Sequence, residues 1–480
     1  FARVRRGSLL IARFQSRFGE IMGLWPWAIF GLCLVLATIA LQGCSPDDEH
    51  APTSTMVTTT SIPDATATTT TTTAKASAGD EHCAAWHNSN CVRCAEGFSL
   101  VGGKCFYECS SDMEEFAVVN ATGKGMCLDD TTFSNCSDEM PFKWPNTNES
   151  VKSIRLFSAW QAGWPEKRRA KAWARLADFV KSNGVKVLVG TQISCNETDD
   201  DRDWQHVLDL MQMIGVEHIM GLAVGNELEL LWSKKEVAAD PTCIPRLWKG
   251  GYFWNKTVER VRHMDSLGDG FERIPVTSVF GGFILGMEPF VETPNAMVAS
   301  YLANATAEFG RRWAFSLNIY PYFDPGNALD PGSKDQCKNT IARCTCFDGP
   351  QCLTKAMLVA MRQRMKSVTH RTDDLLWMGE TGWSYPMSST LTMPMRRCAE
   401  FSSRQVYETY YKNFLSWDLQ MGDMRGPDHV FYFTMRDSVN FGMEEHFGLI
   451  GQCGETKCKL QKPPDFDSYS DAGLDKELVV

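Results

Sequence analysis

The sequence predicts an α/β fold for the larger part of this chain: a parallel sheet covered by helices, most simply a (β/α)8 TIM barrel. Three observations predict it. After about residue 137, short apolar runs alternate with amphipathic helical patterns over roughly 300 residues, as parallel strands wrapped by helices require. Neither a G-x-G-x-x-G nor a P-loop motif breaks this alternation, which counts against the nucleotide-binding open sheets. Several apolar runs end in polar residues, and in a barrel the C-terminal ends of the strands carry the chemistry. Ahead of the barrel the sequence predicts a transmembrane segment, a disordered Thr-rich stalk and a small disulfide-rich module.

The first element is a basic segment, 1–20, holding Arg3, Arg5, Arg6, Arg13 and Arg17. Residues 21–43 follow; Ile21 to Leu41 carry no charge, a length that spans a bilayer as a helix. Asp47, Asp48 and Glu49 come next, so the charge bias places the N-terminus in the cytoplasm and the remainder outside or in the lumen. A signal-anchor and a cleaved signal peptide share this pattern, and Leu41 to Cys44 also resembles a lipoprotein cleavage site. The expectation is a membrane-anchored protein with an extracellular or lumenal working part, secreted if the apolar segment is cleaved. Segment 44–80 holds the stalk: twelve threonines lie within 51–78 with almost no large apolar group, too little to offset chain entropy. Sequons at Asn120, Asn135, Asn148, Asn196, Asn255 and Asn304 predict N-glycosylation downstream of the export segment.

The stretch 81–136 reads as a cysteine-rich module with Cys83, Cys91, Cys94, Cys105, Cys109, Cys127 and Cys136. Its short glycine turns between cysteines resemble EGF-like or furin-like repeats, and so small a segment needs disulfide staples. A zinc site is the alternative, since Cys91-x2-Cys94 and Cys105-x3-Cys109 have ligand spacing and His82 and His87 are near. In an oxidising compartment disulfides are expected, and no metal or cofactor is assigned. Of the eighteen cysteines, the sixteen beyond Cys33 and Cys44 can all pair, and seven in the module implies that one pairs with the barrel. No protein partner of the module can be named.

The barrel region is taken as 137–460, with 461–480 as a tail. Strands are expected at Ser153 to Phe157, Val185 to Ile193, Ile219 to Val224, Ile274 to Phe280, Ala314 to Ile319, Leu375 to Met378 and Val430 to Phe433, with the first somewhere in 131–150. Helical patterns run Pro165 to Asn183, Trp204 to Ile214, Leu353 to Val368 and Ala399 to Leu419. Asp199, Asp200, Asp201 and Asp203 read as the acidic approach to a helix rather than a cation site. A net charge of −10 excludes an ordinary nucleic-acid binder.

Two carboxylates stand where strands end: Glu227 after Ile219 to Val224, and Glu380 after Leu375 to Met378. Tyr320, Tyr322 and Trp383 lie beside such ends. Paired carboxylates with flat aromatic rings are what glycoside hydrolysis needs, one acid to protonate the leaving oxygen and one carboxylate to attack or activate water. No G-x-S-x-G elbow or H-E-x-x-H helix competes.

Val224-Gly-Asn-Glu227, Asn318-Ile-Tyr-Pro-Tyr-Phe323, Gly379-Glu-Thr-Gly-Trp383 and Glu444-Glu-His-Phe-Gly-Leu449 resemble, in this order, the signatures of glycoside hydrolase family 17, the endo-β-1,3-glucanases. The resemblance covers roughly 150–450 and implies a retaining (β/α)8 enzyme acting on β-1,3-glucan, with Glu227 as acid/base and Glu380 as nucleophile. It implies substrate-binding roles for Asn226, which would meet the sugar 2-hydroxyl, and for Tyr320, Tyr322, Trp383, Arg155 and Glu444. Glu227 would need a raised pKa from burial and from the charge of Glu380. After the last strand only Asp437 matches the family's acidic pattern, and the loop from Asp324 to Gln351 is unusual for its Cys337, Cys344 and Cys346, with Cys352 just after. Alternatives are a β-1,3-glucan transglycosylase and an inactive glycan-binding or adhesion protein.

Overall fold

The computed structural model describes residues 82–460, apart from 89, 110–114, 195, 234–241, 283, 285–294, 324–333, 388–397, 439–445 and 456–457. The segments 1–20, 21–43, 44–80 and 461–480 and Glu444 lie outside the described residues. No helix among the described residues is long and apolar enough to cross a membrane.

Eight parallel strands close a barrel in chain order: β5 (Lys124–Cys127), β6 (Ser153–Arg155), β7 (Lys186–Thr191), β8 (Ile219–Asn226), β9 (Val276–Gly281), β10 (Ala314–Asn318), β11 (Leu375–Thr381) and β12 (His429–Tyr432). Four strands, β1 (Cys83–His87), β2 (Asn90–Cys94), β3 (Phe98–Val101) and β4 (Lys104–Tyr107), precede them as two antiparallel hairpins. The first barrel strand is not in 131–150. It is β5, inside the segment assigned to the cysteine module, so the barrel begins before residue 137. Lys-Gly-Met-Cys is too short and mixed to register as an apolar run, whereas 131–150 holds α1 (Asp130–Asn135) and a largely buried loop.

The helices on the outside follow from amphipathic spacing and their caps. α2 (Glu166–Asn183) buries Ala172, Trp173, Leu176, Ala177 and Val180 on one face and stops at Gly184, whose φ of 63° suits glycine. α3 (Glu197–Ile214) starts earlier than its apolar stripe suggests, because Asn196 caps it by accepting the Asp199 N–H. α4 (Cys243–Trp248), α5 (Tyr252–Asp265), α6 (Asn295–Phe309), α7 (Lys334–Thr345), α8 (Leu353–Thr369) and α9 (Arg404–Ser416) continue the wrapping. Inside the barrel large side chains occupy the room left by small ones: the Phe431 ring fills the space over Gly125 and Trp377 that over Gly221.

Asp200 and Asp203 of α3 turn inward. Asp203 accepts the Ala159, Trp160 and Gln192 N–H groups and the Thr191 hydroxyl, and Asp200 accepts the Ser194 N–H and the Tyr252 hydroxyl. They bind the loops after β6 and β7 to the helix layer, which is a scaffold role.

Two disulfides, Cys83–Cys91 and Cys94–Cys105, staple the hairpins, and Cys109–Cys458 and Cys136–Cys453 tie the following stretch to the C-terminal part of the barrel domain. So two cysteines of the segment, not one, reach across. Cys346–Cys352 closes the segment before α8, Cys337–Cys398 ties α7 to the stretch before α9, and Cys243 is also disulfide-bonded. Cys127 and Cys344 are buried and lie outside the disulfides, so the sixteen cysteines do not all pair. The Cys83, Cys91 and Cys105 sulfurs lie within 4.8 Å of one another, but each is already held in a disulfide, and a thiolate zinc ligand cannot be.

Candidate active site

The C-terminal ends of the strands bring Arg155, Asn226 and Glu380, which the sequence singles out, together with Asn318. Arg155 is the last residue of β6, Asn226 of β8 and Asn318 of β10, while Glu380 is the last but one of β11. Side chains alternate across a barrel wall, and these four point inward.

Three donors converge on the Glu380 carboxylate, which is 6% exposed. Arg155 Nη1 lies 3.0 Å from Oε1, Asn318 Nδ2 2.8 Å from the same oxygen, and the Tyr320 hydroxyl 2.6 Å from Oε2. Arg155 is itself buried and divides its guanidinium: Nη1 also donates to Asn318 Oδ1 at 3.2 Å, and Nη2 to Asn226 Oδ1 at 2.9 Å. Asn318 Nδ2 reaches Asn226 Oδ1 at 3.2 Å. One planar cation therefore holds groups from three other strands in a single network. Burial, with the Glu380 charge next, pushes the Tyr320 phenol well above its ordinary value, so it stays a proton-bearing donor to Glu380.

Gly379 makes this geometry possible. A Cβ there would stand 2.8 Å from Asn318 Oδ1 and 2.9 Å from Arg155 Nη1, closer than real Cβ contacts allow. The glycine before the glutamate is a packing requirement of the network beneath the carboxylate.

Glu227 follows Asn226 directly and is half-buried. Its N–H donates to Val279 O at 2.8 Å, and its φ of 51° lies in the left-handed region, uncommon for a residue with a side chain. A non-glycine residue held there is a local cost that surrounding contacts sustain, and such positions cluster at functional sites. The Glu227 charge adds to that of Glu380 in raising the Tyr320 phenol.

Aromatic groups border the network. The Arg155 guanidinium lies over the half-buried Phe157 ring at 4.4 Å, Phe433 meets Phe157 edge-on at 6.0 Å, and Tyr320 meets Phe433 at 6.3 Å. Trp383 and Tyr322 are placed elsewhere. Trp383 is fully buried, its indole N–H donating to Phe401 O at 2.8 Å and its ring packed on Phe401 and Tyr410. Tyr322 is equally buried, its hydroxyl 2.7 Å from Ser402 Oγ and its ring 5.2 Å from Trp383. Both are core residues on the helix side of the wall, so neither offers a face to a sugar. Asp437 is also inward-turned, meeting the buried Lys459 ammonium at 2.5 Å and the Gly448 N–H at 2.8 Å.

Asn318, Phe157, Phe433 and Cys127 escaped the sequence reading as site residues. Asn318 stands last in its apolar strand, the same signal that marks Glu227 and Glu380. Cys127 closes β5, its thiol pushed well above the ordinary range by burial with the Glu380 charge adding to it. Nothing local in the sequence marks the other two.

No protein-family model matches the chain, and a search of curated proteins finds no match. Among solved structures, a glycoside hydrolase family 17 β-1,3-glucanosyltransferase from Rhizomucor miehei is similar over 70% of this chain and 96% of its own, at 13% identity and a TM-score of 0.40. A structure from a study of two plant β-glucan endohydrolases is similar over 72% and 96%, at 16% identity and 0.39. A β-glucosidase from Exiguobacterium marinum is similar over 63% and 79%, at 10% identity and 0.34. Likeness at this level is too slight to bear on activity, which has to be argued from the site itself.

Proposed function

We propose that this chain is a retaining glycoside hydrolase that cleaves β-1,3-glucan, with Glu380 as nucleophile and Glu227 as acid/base. The convergence of Arg155, Asn318 and Tyr320 on the Glu380 carboxylate carries this reading. Three donors orient one carboxylate at a barrel mouth while a second glutamate, borne on a strained residue, stands at the end of the fourth barrel strand.

In the first half-reaction the Glu227 carboxylic acid gives its proton to the glycosidic oxygen as a Glu380 oxygen bonds to the anomeric carbon. The carbon–oxygen bond to the leaving sugar breaks, and Glu380 loses its charge in the ester. In the second, Glu227 takes a proton from water, the water oxygen attacks the anomeric carbon, and the ester bond breaks to restore the Glu380 carboxylate. Asn226, held by Arg155 and Asn318 through its Oδ1, keeps its Nδ2 hydrogens for the sugar 2-hydroxyl. Phe157, Phe433 and the rim of Tyr320 are the aromatic surfaces nearest this centre.

The proposal includes the setting. The uncharged run within 21–43 would anchor or export the chain, and 44–80 would space the barrel from the membrane. All six sequon asparagines are exposed, which supports glycosylation at these sites.

Reducing-sugar release by the purified protein from β-1,3-, β-1,4- and mixed-linkage glucans tests the function. Release confined to β-1,3 linkages is the expected result. Products longer than a laminari-oligosaccharide substrate would move the assignment to transglycosylation, and laminarin binding without cleavage would move it to adhesion.

A further inference from the structure

Two residues beyond Glu227, on the turn Leu228–Ser233, stands a third carboxylate that no step above uses. Glu229 is half-buried, and its Oε1 accepts the N–H of Gly281, the last residue of β9. An ideal Cβ on Gly281 would lie 3.0 Å from Glu229 Oε1 and 3.4 Å from Glu227 Oε1. The two carboxylates therefore share the small space above one glycine. Leu228 between them is buried and fixes the turn. A backbone N–H donated to a carboxylate favours its charged form.

We propose, on the reading of Glu227 as the acid/base, that Glu229 is a positioning residue whose fixed negative charge keeps Glu227 protonated at rest and strengthens it as a base. Among the described residues, the charged and titratable groups around Glu227 include Glu229 on its own turn, Glu380 and Tyr320 across the barrel mouth, and Arg155, which reaches Asn226. Arg155 is already engaged with Glu380. Glu380 opposes ionisation of Glu227 only while it carries a charge. Once the glycosyl ester forms, that charge is gone, and Glu229 supplies the negative charge that remains through both halves of the cycle. The acid that gives the first proton is thereby still a competent base for water in the second step.

The pH profile of kcat/KM on laminarihexaose tests this, because its alkaline limb reports the acid of the free enzyme. In Glu229→Gln the alkaline limb should move down by roughly half to one pH unit, the effect of one charge at this range in a solvated cleft, while the acidic limb holds. Glu229→Asp, which keeps the charge on a shorter arm, should restore most of the shift. A merely structural role would lower the whole curve and leave both limbs in place. Should Glu229→Gln fail to fold, Glu229→Asn removes the same charge and carries the same test. An unmoved alkaline limb in whichever of these two neutral variants folds overturns the proposal. Glu227→Gln separates the levels: its full activity, or an inactive wild type, overturns the underlying reading, whereas its inactivity with an unmoved limb in Glu229→Gln overturns this proposal alone.

Discussion

Glu380 is held by three residues from three positions on the barrel, and each of them can be removed singly. Tyr320→Phe deletes one hydrogen bond to a carboxylate, worth about 1.5–3 kcal/mol, and should lower kcat/KM by roughly 10- to 100-fold with little change in melting temperature. Steady-state kinetics and a thermal melt together check it. Gly379→Ala should do more damage than its one methyl suggests, because the new Cβ meets Arg155 and Asn318 at once. Activity is expected to fall at least 100-fold, and full activity would show that the network under Glu380 is dispensable. The two glutamates separate by chemistry. Glu227→Ala should still form the covalent intermediate from a dinitrophenyl glycoside, with azide restoring turnover as the β-azide, whereas Glu380→Ala should not.

Among the elements, polar residues also stand at the N-terminal ends of some strands, where they serve stability. His429, at the start of β12, accepts or donates at 2.7 Å with Ser153 Oγ of β6, and burial holds it down at about 3. Its folded pKa lies below the unfolded value of 6.5, so the stability it contributes is complete above pH 6.5 and is lost as pH falls toward 3. The full shift corresponds to at most about 4–5 kcal/mol. Asp203, pushed up to about 6 by burial, acts in the opposite sense between pH 6 and its unfolded value of 3.8. Urea unfolding of wild type and His429→Gln across pH 7 to 4 isolates the histidine, and the variant should lose less stability on acidification. The same elements show what was legible in the sequence. β8, β10 and β11 announce themselves as apolar runs that end in polar residues, and these place Glu227 and Glu380. β5 does not, since four mixed residues carry no periodicity, and its place is fixed by pairing with β12 and β6. Trp383 is buried, not cleft-facing, for a physical reason. Counting by twos from the inward Glu380 puts Thr381 and Trp383 outward, where Thr381 meets Tyr410 of α9 and Trp383 packs on the same ring. Tyr322 has the parity of Asn318 and Tyr320, but the chain has already turned at Pro321–Phe323 and parity no longer applies.

On the largest scale, covalent bonds join the start and the end of the described barrel domain. Cys109–Cys458 and Cys136–Cys453 span 349 and 317 residues and hold the segment carrying Lys459 against Asp437. Replacing either pair by serine should cost about 3–5 kcal/mol, read as a lower melting temperature under non-reducing conditions. An unchanged melt would mean that the clasp of Lys459 and the core suffice alone. The hairpins β1–β4 depend on Cys83–Cys91 and Cys94–Cys105 and meet the barrel through Phe106 against Phe179 of α2. None of this alters the central claim, which concerns one bond between one carboxylate and one sugar carbon. Incubation with a 2-deoxy-2-fluoro-β-laminaribiosyl fluoride slows the second half-reaction and accumulates the intermediate. Proteolysis and mass spectrometry then locate the sugar. A single fluoroglycosyl ester on Glu380 is expected, whereas an adduct on Glu227, or turnover of substrate with no adduct anywhere, would contradict Glu380 as the nucleophile.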